Sequence, residues 1–163
     1  MTNRYIIDYQ SPIGILEIIG SMDEIYSIMF VDREEIQNTI QEETPEVMKE
    51  CLNQIDEYFK GKRQTFTFPF TLEGTKFQQT VWKALSSIPF GETGTYKELA
   101  IRIDNEKAIR AVGHANGRNK LSIVIPCHRI IGSSGKLTGY AGGLWRKEWL
   151  LRHERRENSK KIV

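Results

Sequence analysis

Cysteine is scarce in this sequence: two residues, Cys51 and Cys127, in a chain of 163. Two distant cysteines make no disulfide framework, so both are expected as free thiols in a reducing compartment, the cytoplasm. No CxxC, HxxxH or carboxylate cluster has ligand spacing, and no metal site is expected. No apolar run approaches the roughly 20 residues that a membrane span needs. The first ten residues, "MTNRYIIDYQ", lack the apolar core and cleavage site of a signal peptide. The length allows one ordinary domain, or two small ones sharing a modest core. With 39% apolar and 27% charged residues, the composition is that of a soluble globular protein.

Charge is present in quantity but unevenly placed. Residues 1–75 carry 6 Lys/Arg against 14 Asp/Glu, a net of −8, and residues 76–163 carry 17 against 7, a net of +10. A basic back half suits contact with a polyanion, although asymmetry alone leaves an accident of solubility equally open.

The front reads as an antiparallel meander. "RYIIDY", "GILEII" and "EIYSIMF" are β-branched and aromatic runs broken by the turn signals "SPIG" and "GSMD". "TPEVMKECLNQIDEYFKG" then reads as a helix, with Thr44 as N-cap, Pro45 at the first helical position and Gly61 at the far end. Val47, Met48, Cys51, Leu52, Ile55, Tyr58 and Phe59 form its apolar stripe. Cys51 lies within that stripe and reads as a small core hydrophobe. "RQTFTFPFTLEG" reads as a linker with a short strand.

Beyond it the pattern turns helical. "TKFQQTVWKALSSIP" opens with a capping box, Thr75 with Gln78, and turns Phe77, Val81, Trp82 and Leu85 inward. "TYKELAIRI" repeats the device with Thr95 and Glu98, and after the short turn "DNE" comes "KAIRAVGHANGRN". Two helices joined by a short turn match the helix-turn-helix arrangement, a weak signal alone. Ala108, Ala111 and Ala115, with Gly113 and Gly117 nearby, let the second helix approach another surface closely. That surface is either another helix or a nucleic-acid groove, into which Arg110 would be the long side chain able to reach.

"KLSIVIP" reads as a buried strand ending at Pro126, followed by Cys127, His128 and Arg129. A thiol at the end of a buried strand sits at a rim, where nearby imidazole or cations raise its thiolate fraction. Adjacent side chains of a strand point to opposite faces, so contact between Cys127 and His128 needs a turn or a bridging water. The dipeptide alone favours a structural cysteine.

"FGETGTY", "RAVGHANGRN", "IVIPCHRIIGSSG" and "GYAGGLWRKEWLLRHE" occur together and at tight spacing. This set resembles the O6-alkylguanine–DNA alkyltransferases, in detail over residues 76–154 and only in architecture before that. The resemblance implies an α+β chain of two domains. An N-terminal ribonuclease-H-like α/β domain with an antiparallel sheet would span 1–70. A C-terminal winged helix-turn-helix DNA-binding domain would span 71–155, followed by a flexible basic tail over 156–163.

It further implies that Cys127 accepts the alkyl group irreversibly, one molecule for each repair. His128 would deprotonate the thiol through a water, held by Glu154, and Asn119 would tie the helices to the active-site segment. Tyr96 would crowd the target phosphate and donate to guanine N3. Arg110 would fill the gap left by the extruded base, with Ala111 and Gly113 on the same DNA-facing helix and Arg129 as a further DNA contact. Tyr140, Ala141 and Gly142 would form the pocket and its lid. The implied partner is double-stranded DNA carrying O6-alkylguanine, with no cofactor, no membrane and a monomeric protein. The alternative is a non-catalytic binder of alkylated DNA, a class that shares the scaffold and lacks the cysteine. Lys120 stands where the family commonly has proline, and Ala141 where some members have a lid serine.

Overall fold

The computed structural model describes residues 3–160. It divides into two compact units, the first ending at Leu72 and the second beginning at Glu73.

In the first unit, β1 (Tyr5–Ser11), β2 (Gly14–Gly20) and β3 (Ile25–Val31) form the antiparallel meander that the alternating runs imply. Tyr5 pairs with Gly20 and Ser11 with Gly14, while Ile15 pairs with Val31 across the other edge. Helix α1 (Glu46–Phe59) packs on this sheet through Met48, Cys51, Gln54, Ile55, Tyr58 and Phe59. Met48 and Ile55 are wholly buried, each contributing about 1.5–3 kcal/mol relative to exposure. Cys51 lies in this core as a small hydrophobe, and burial drives its thiol far above the ordinary range. Leu52 and Val47 are only half-buried, because the stripe is narrower than the apolar pattern suggests.

The start of α1 differs from expectation. Pro45, rather than Thr44, is the cap residue, and the Thr44 hydroxyl instead accepts from Gln41 N at 2.8 Å. The end does follow the glycine signal. Gly61 takes φ 76°, Gly61 N donates to Tyr58 O, and Lys62 N donates to Glu57 O. This is a Schellman closure, which requires a left-handed residue at that point. The linker's short strand reduces to a parallel bridge between Phe70 and Ile25.

The second unit is mainly helical. Helix α2 (Lys76–Leu85) begins with the full Thr75–Gln78 capping box and buries Val81, Trp82 and Leu85. Trp82 Nε1 donates to Ala115 O at 2.9 Å, which locks α2 against α4 (Ile109–Gly117). Helix α3 (Tyr96–Arg102) has Thr95 as cap but only half of the expected box, with Glu98 N donating to the Thr95 hydroxyl. Residues 103–108 join α3 to α4, longer than the "DNE" turn, with Asp104 at φ 58°. Two short strands, β4 (Gly94–Thr95) and β5 (Ile130–Ile131), pair in parallel.

Helix α5 (Leu144–Ser159) is the last helix among the described residues. The flexible tail expected from residue 156 is therefore helical through Ser159, and the rest of that tail beyond Lys160 lies outside the described residues. Asn158 packs on Gly91, where a Cβ would come within 2.7 Å of its Nδ2. Among the described residues no helix is long and apolar enough to cross a membrane.

Candidate active site

The segment "KLSIVIP" is not a strand. Ile123 takes φ 74° and Val124 N bonds back to Ser122 O at 2.8 Å, a γ-turn of the rare positive-φ kind. Pro126, at φ −80° and ψ 63°, makes a second, relaxed γ-turn, closed by Cys127 N to Ile125 O at 2.7 Å. Residues Cys127–Arg129 then form a single 3-10 turn. The continuous apolar run signalled burial correctly, since Leu121, Ile123 and Ile125 are all buried. Such a run does not distinguish a strand from another buried path.

The path is set by the Asn119 side chain. Its Oδ1 accepts from Leu121 N at 2.9 Å, while Nδ2 donates to Ile125 O at 2.8 Å. The same Nδ2 reaches Leu121 O and the Cys127 sulfur, both at 3.3 Å. One carboxamide therefore supports a strained β-branched residue and touches the thiol. Strain at such a residue persists only where its surroundings over-determine it.

Behind Cys127 lies a buried charge cluster. His128 and Glu154 are wholly buried, and His128 Nε2 lies 2.7 Å from Glu154 Oε2. Arg129 Nε donates to Glu154 Oε1 at 2.8 Å and Arg129 Nη2 to Oε2 at 3.1 Å. Burial opposes ionisation of Glu154, but His128 and Arg129 outweigh it and hold the carboxyl far below the usual range. A carboxylate accepts only, so Nε2 carries a proton and a neutral His128 keeps its lone pair on Nδ1. That Nδ1 is buried and without a hydrogen-bond partner among the described residues.

Arg129 needs correction as a DNA contact. It is 6% exposed, committed to Glu154 and to Ile88 O at 2.7 Å, and its guanidinium lies over the Phe90 ring. Pairing with a buried carboxylate is its role, because an unpaired Glu154 would be costly to bury.

A cavity of about 250 Å³ brings together Cys127, Asn119, Tyr96, Gly113, Tyr140 and Ala141 from the expected set. Asn116, Gly117, Ser122 and Gly139 complete its wall. Cys127 is 6% exposed, and burial raises its thiol pKa, while the Asn119 hydrogen bond and the Lys147 cation lower it. Tyr140 is pushed well above the ordinary tyrosine range, chiefly by burial and also by the thiolate charge of Cys127. The Ser122 side chain lowers it in part. Gly142 does not line the cavity; its carbonyl accepts from Arg146 Nη1 at 2.9 Å. Arg110, Ala111 and His114 are exposed on α4, as is Arg118 just beyond its end.

Sequence reasoning missed Lys147. It is wholly buried, with Nζ 2.7 Å from Thr138 O and 3.4 Å from Gly139 O. Burial lowers its pKa to about 8, against the raising effect of the Cys127 charge. A lysine in a charged helix reads as a solvated face, so the signal available was position: seven residues before Glu154, two turns along the same helix.

Residues 76–156 match the family model for the 6-O-methylguanine DNA methyltransferase DNA-binding domain, and residues 5–72 match the ribonuclease-like domain of the same family. The chain belongs to the 6-O-methylguanine DNA methyltransferase family. A methylated-DNA–protein-cysteine methyltransferase of Methanosarcina barkeri is 46% identical over 147 residues, covering 89% of this chain and 93% of the relative. The constitutive methylated-DNA–protein-cysteine methyltransferase of Bacillus subtilis is 44% identical over 159 residues, covering 93% and 96%. The crystal structure of the Mycobacterium tuberculosis O6-methylguanine methyltransferase superposes with a TM-score of 0.84 at 39% identity, covering 95% and 94%. The same mycobacterial protein in complex with DNA matches at a TM-score of 0.84 and 40% identity, covering 94% of each chain. As in that family, both units of the methyltransferase chain are present, and the fold expected from the resemblance is the fold found.

Proposed function

We propose that this protein repairs DNA by transferring the alkyl group of O6-alkylguanine to Cys127, once for each protein molecule. The observation that carries the reading is a thiol on the wall of a cavity, touched by Asn119 and followed directly by a histidine whose ring is tied to a buried carboxylate.

The chemistry follows from the parts. The O6 substituent of a stacked guanine is out of reach, so the nucleotide is extruded into the cavity at a cost of a few kcal/mol, less for a poorly pairing lesion. Arg110, exposed on α4, fills the gap in the duplex. The lone pair on His128 Nδ1 takes the thiol proton through a water, and Glu154 stabilises the resulting imidazolium. The Cys127 sulfur then attacks the alkyl carbon, forming an S–C bond as the C–O6 bond breaks. The electron pair leaves with the purine, which Tyr96 protonates at N3. The product is a thioether, which neither water nor any base at the site cleaves, so the acceptor is spent. Apart from that water, these steps use side chains of the chain alone. In this reading the protein acts as a monomer on double-stranded DNA in the cytoplasm.

The test is an intact-mass measurement after incubation with a short duplex carrying O6-methylguanine. The protein gains the mass of one methyl group, in a burst that stops at protein stoichiometry, and Cys127→Ser gains none while still binding the duplex. A non-catalytic binder would leave the protein mass unchanged, and methylated Cys127→Ser protein would remove Cys127 as the acceptor.

A further inference from the structure

The Thr138 hydroxyl donates to Tyr96 Oη at 3.1 Å, and none of the steps above uses Thr138. Its backbone is fixed from the other side, because the buried Lys147 ammonium binds the carbonyls of Thr138 and Gly139. Tyr96 and Gly139 both belong to the wall of the cavity that holds Cys127.

A phenol has one proton to give and lone pairs to receive with. If Tyr96 gave its proton to Thr138, none would remain for a purine. With Thr138 as donor, the Tyr96 oxygen accepts from it and its own proton is left for a third group. A hydroxyl that accepts a hydrogen bond is also polarised into a better donor, as successive bonds in a chain strengthen one another.

We propose that Thr138 is a positioning residue for alkyl transfer: by donating to Tyr96 Oη it turns the phenol proton toward the departing purine, and the Lys147 clamp holds it in register. The proposal rests on the reading of Tyr96 as the donor to N3. The geometry is a three-link relay, Lys147 to the Thr138 backbone, the Thr138 hydroxyl to Tyr96, and Tyr96 to the base. Only the last link touches substrate.

The experiment compares single-turnover transfer from two duplexes, one with O6-methylguanine and one with its 3-deaza analogue, in which a C–H replaces the N3 acceptor. Thr138→Val, nearly isosteric but without the hydroxyl, slows transfer from O6-methylguanine by roughly three- to tenfold, as expected for one hydrogen bond. Thr138→Ser, which keeps the hydroxyl, restores the rate to within about twofold of the native protein. On the 3-deaza duplex, native protein and Thr138→Val react alike, because no acceptor for the Tyr96 proton remains. Should Thr138→Val fail to fold, Thr138→Ala supplies the same comparison. Equal losses on both duplexes, or no loss on either, overturn the proposal and leave Thr138 a structural residue. If the native protein transfers no methyl group from the O6-methylguanine duplex, the underlying function fails first and this inference falls with it.

Discussion

Asn119 Nδ2 lies 3.3 Å from Cys127 Sγ, and the same carboxamide holds both ends of the turn in which Ile123 takes φ 74°. Support of the fold and tuning of the thiol are thus joined in one side chain. Asn119→Ala leaves Leu121 N–H unpaired in a buried segment, at about 1–3 kcal/mol, and leaves Ile125 C=O with the Cys127 N–H alone. The expected loss of stability is about 2 kcal/mol or more by urea denaturation. Removing the hydrogen bond also raises the Cys127 pKa, so the folded variant alkylates with iodoacetamide more slowly at pH 7. Unchanged stability together with unchanged thiol reactivity would show that the carboxamide does neither.

Lys147 acts on the same sulfur through its charge, which lowers the thiol pKa. Lys147→Met keeps much of the stem and removes the ammonium, so thiol reactivity shifts to higher pH and methyl transfer at pH 7 falls by roughly tenfold. The native protein also has a ceiling of its own. Burial depresses the Lys147 pKa to about 8, so the cation, and its help to the thiolate, are progressively lost as pH rises through that value. The pH profile of iodoacetamide alkylation in the native and Lys147→Met proteins checks both points. Superimposable profiles would remove Lys147 from the site's electrostatics.

The fold was legible where local signals and tertiary packing agree. The Thr75–Gln78 box, the Gly61 closure and the alternating runs of β1 to β3 each name a feature that the structure contains. Cys127 and His128 were legible through their neighbours. The route into them was not, because a run of Ile, Val and Leu carries no record of a left-handed Ile123. That conformation is imposed by a side chain four residues earlier. Arg129 and Lys147 were misjudged or missed for a related reason. Long cations read as solvent-facing or DNA-facing, whereas here Glu154 and two backbone carbonyls draw them inside.

Acid stability depends on two carboxylates, one in each unit. Asp8 is buried against ionisation, yet Arg33 and the amides of Gln37 and Asn38 hold it far below the usual range. Glu154 is held down by His128 and Arg129. A carboxyl whose pKa is depressed by folding contributes its stabilisation fully above the unfolded value and loses it as pH falls toward the folded value. Unfolding free energy is therefore flat with respect to these groups above about pH 5 and declines below the ordinary values of 4.5 for Glu154 and 3.8 for Asp8. Glu154→Gln removes part of that slope, at a cost of about 3–5 kcal/mol at pH 7, because Arg129 then stays buried without its counter-charge. Urea melts between pH 3 and pH 7 measure both effects. A slope identical in native protein and Glu154→Gln would place the acid sensitivity elsewhere.

Arg110 lies exposed on α4, outside the cavity wall, so the part in repair proposed for it is one played on the duplex. If it occupies the space that the extruded nucleotide leaves, truncating it matters only when there is a stack to hold open. Arg110→Ala should therefore slow methyl transfer from a duplex by about a hundredfold, within the few kcal/mol that extrusion costs. Transfer from the free modified base should change by less than about threefold. Binding of the undamaged duplex weakens with added salt for both proteins, since phosphate contacts release counterions, and the slope of log Kd against log salt falls by about one in the variant only if Arg110 neutralises a phosphate. Rate loss without a change in salt slope assigns the side chain to the vacated stack. Equal rate losses on duplex and free base would instead place its effect in the pocket, through α4 and the Tyr96 ring that lies 3.6 Å from a Cβ built on Gly113.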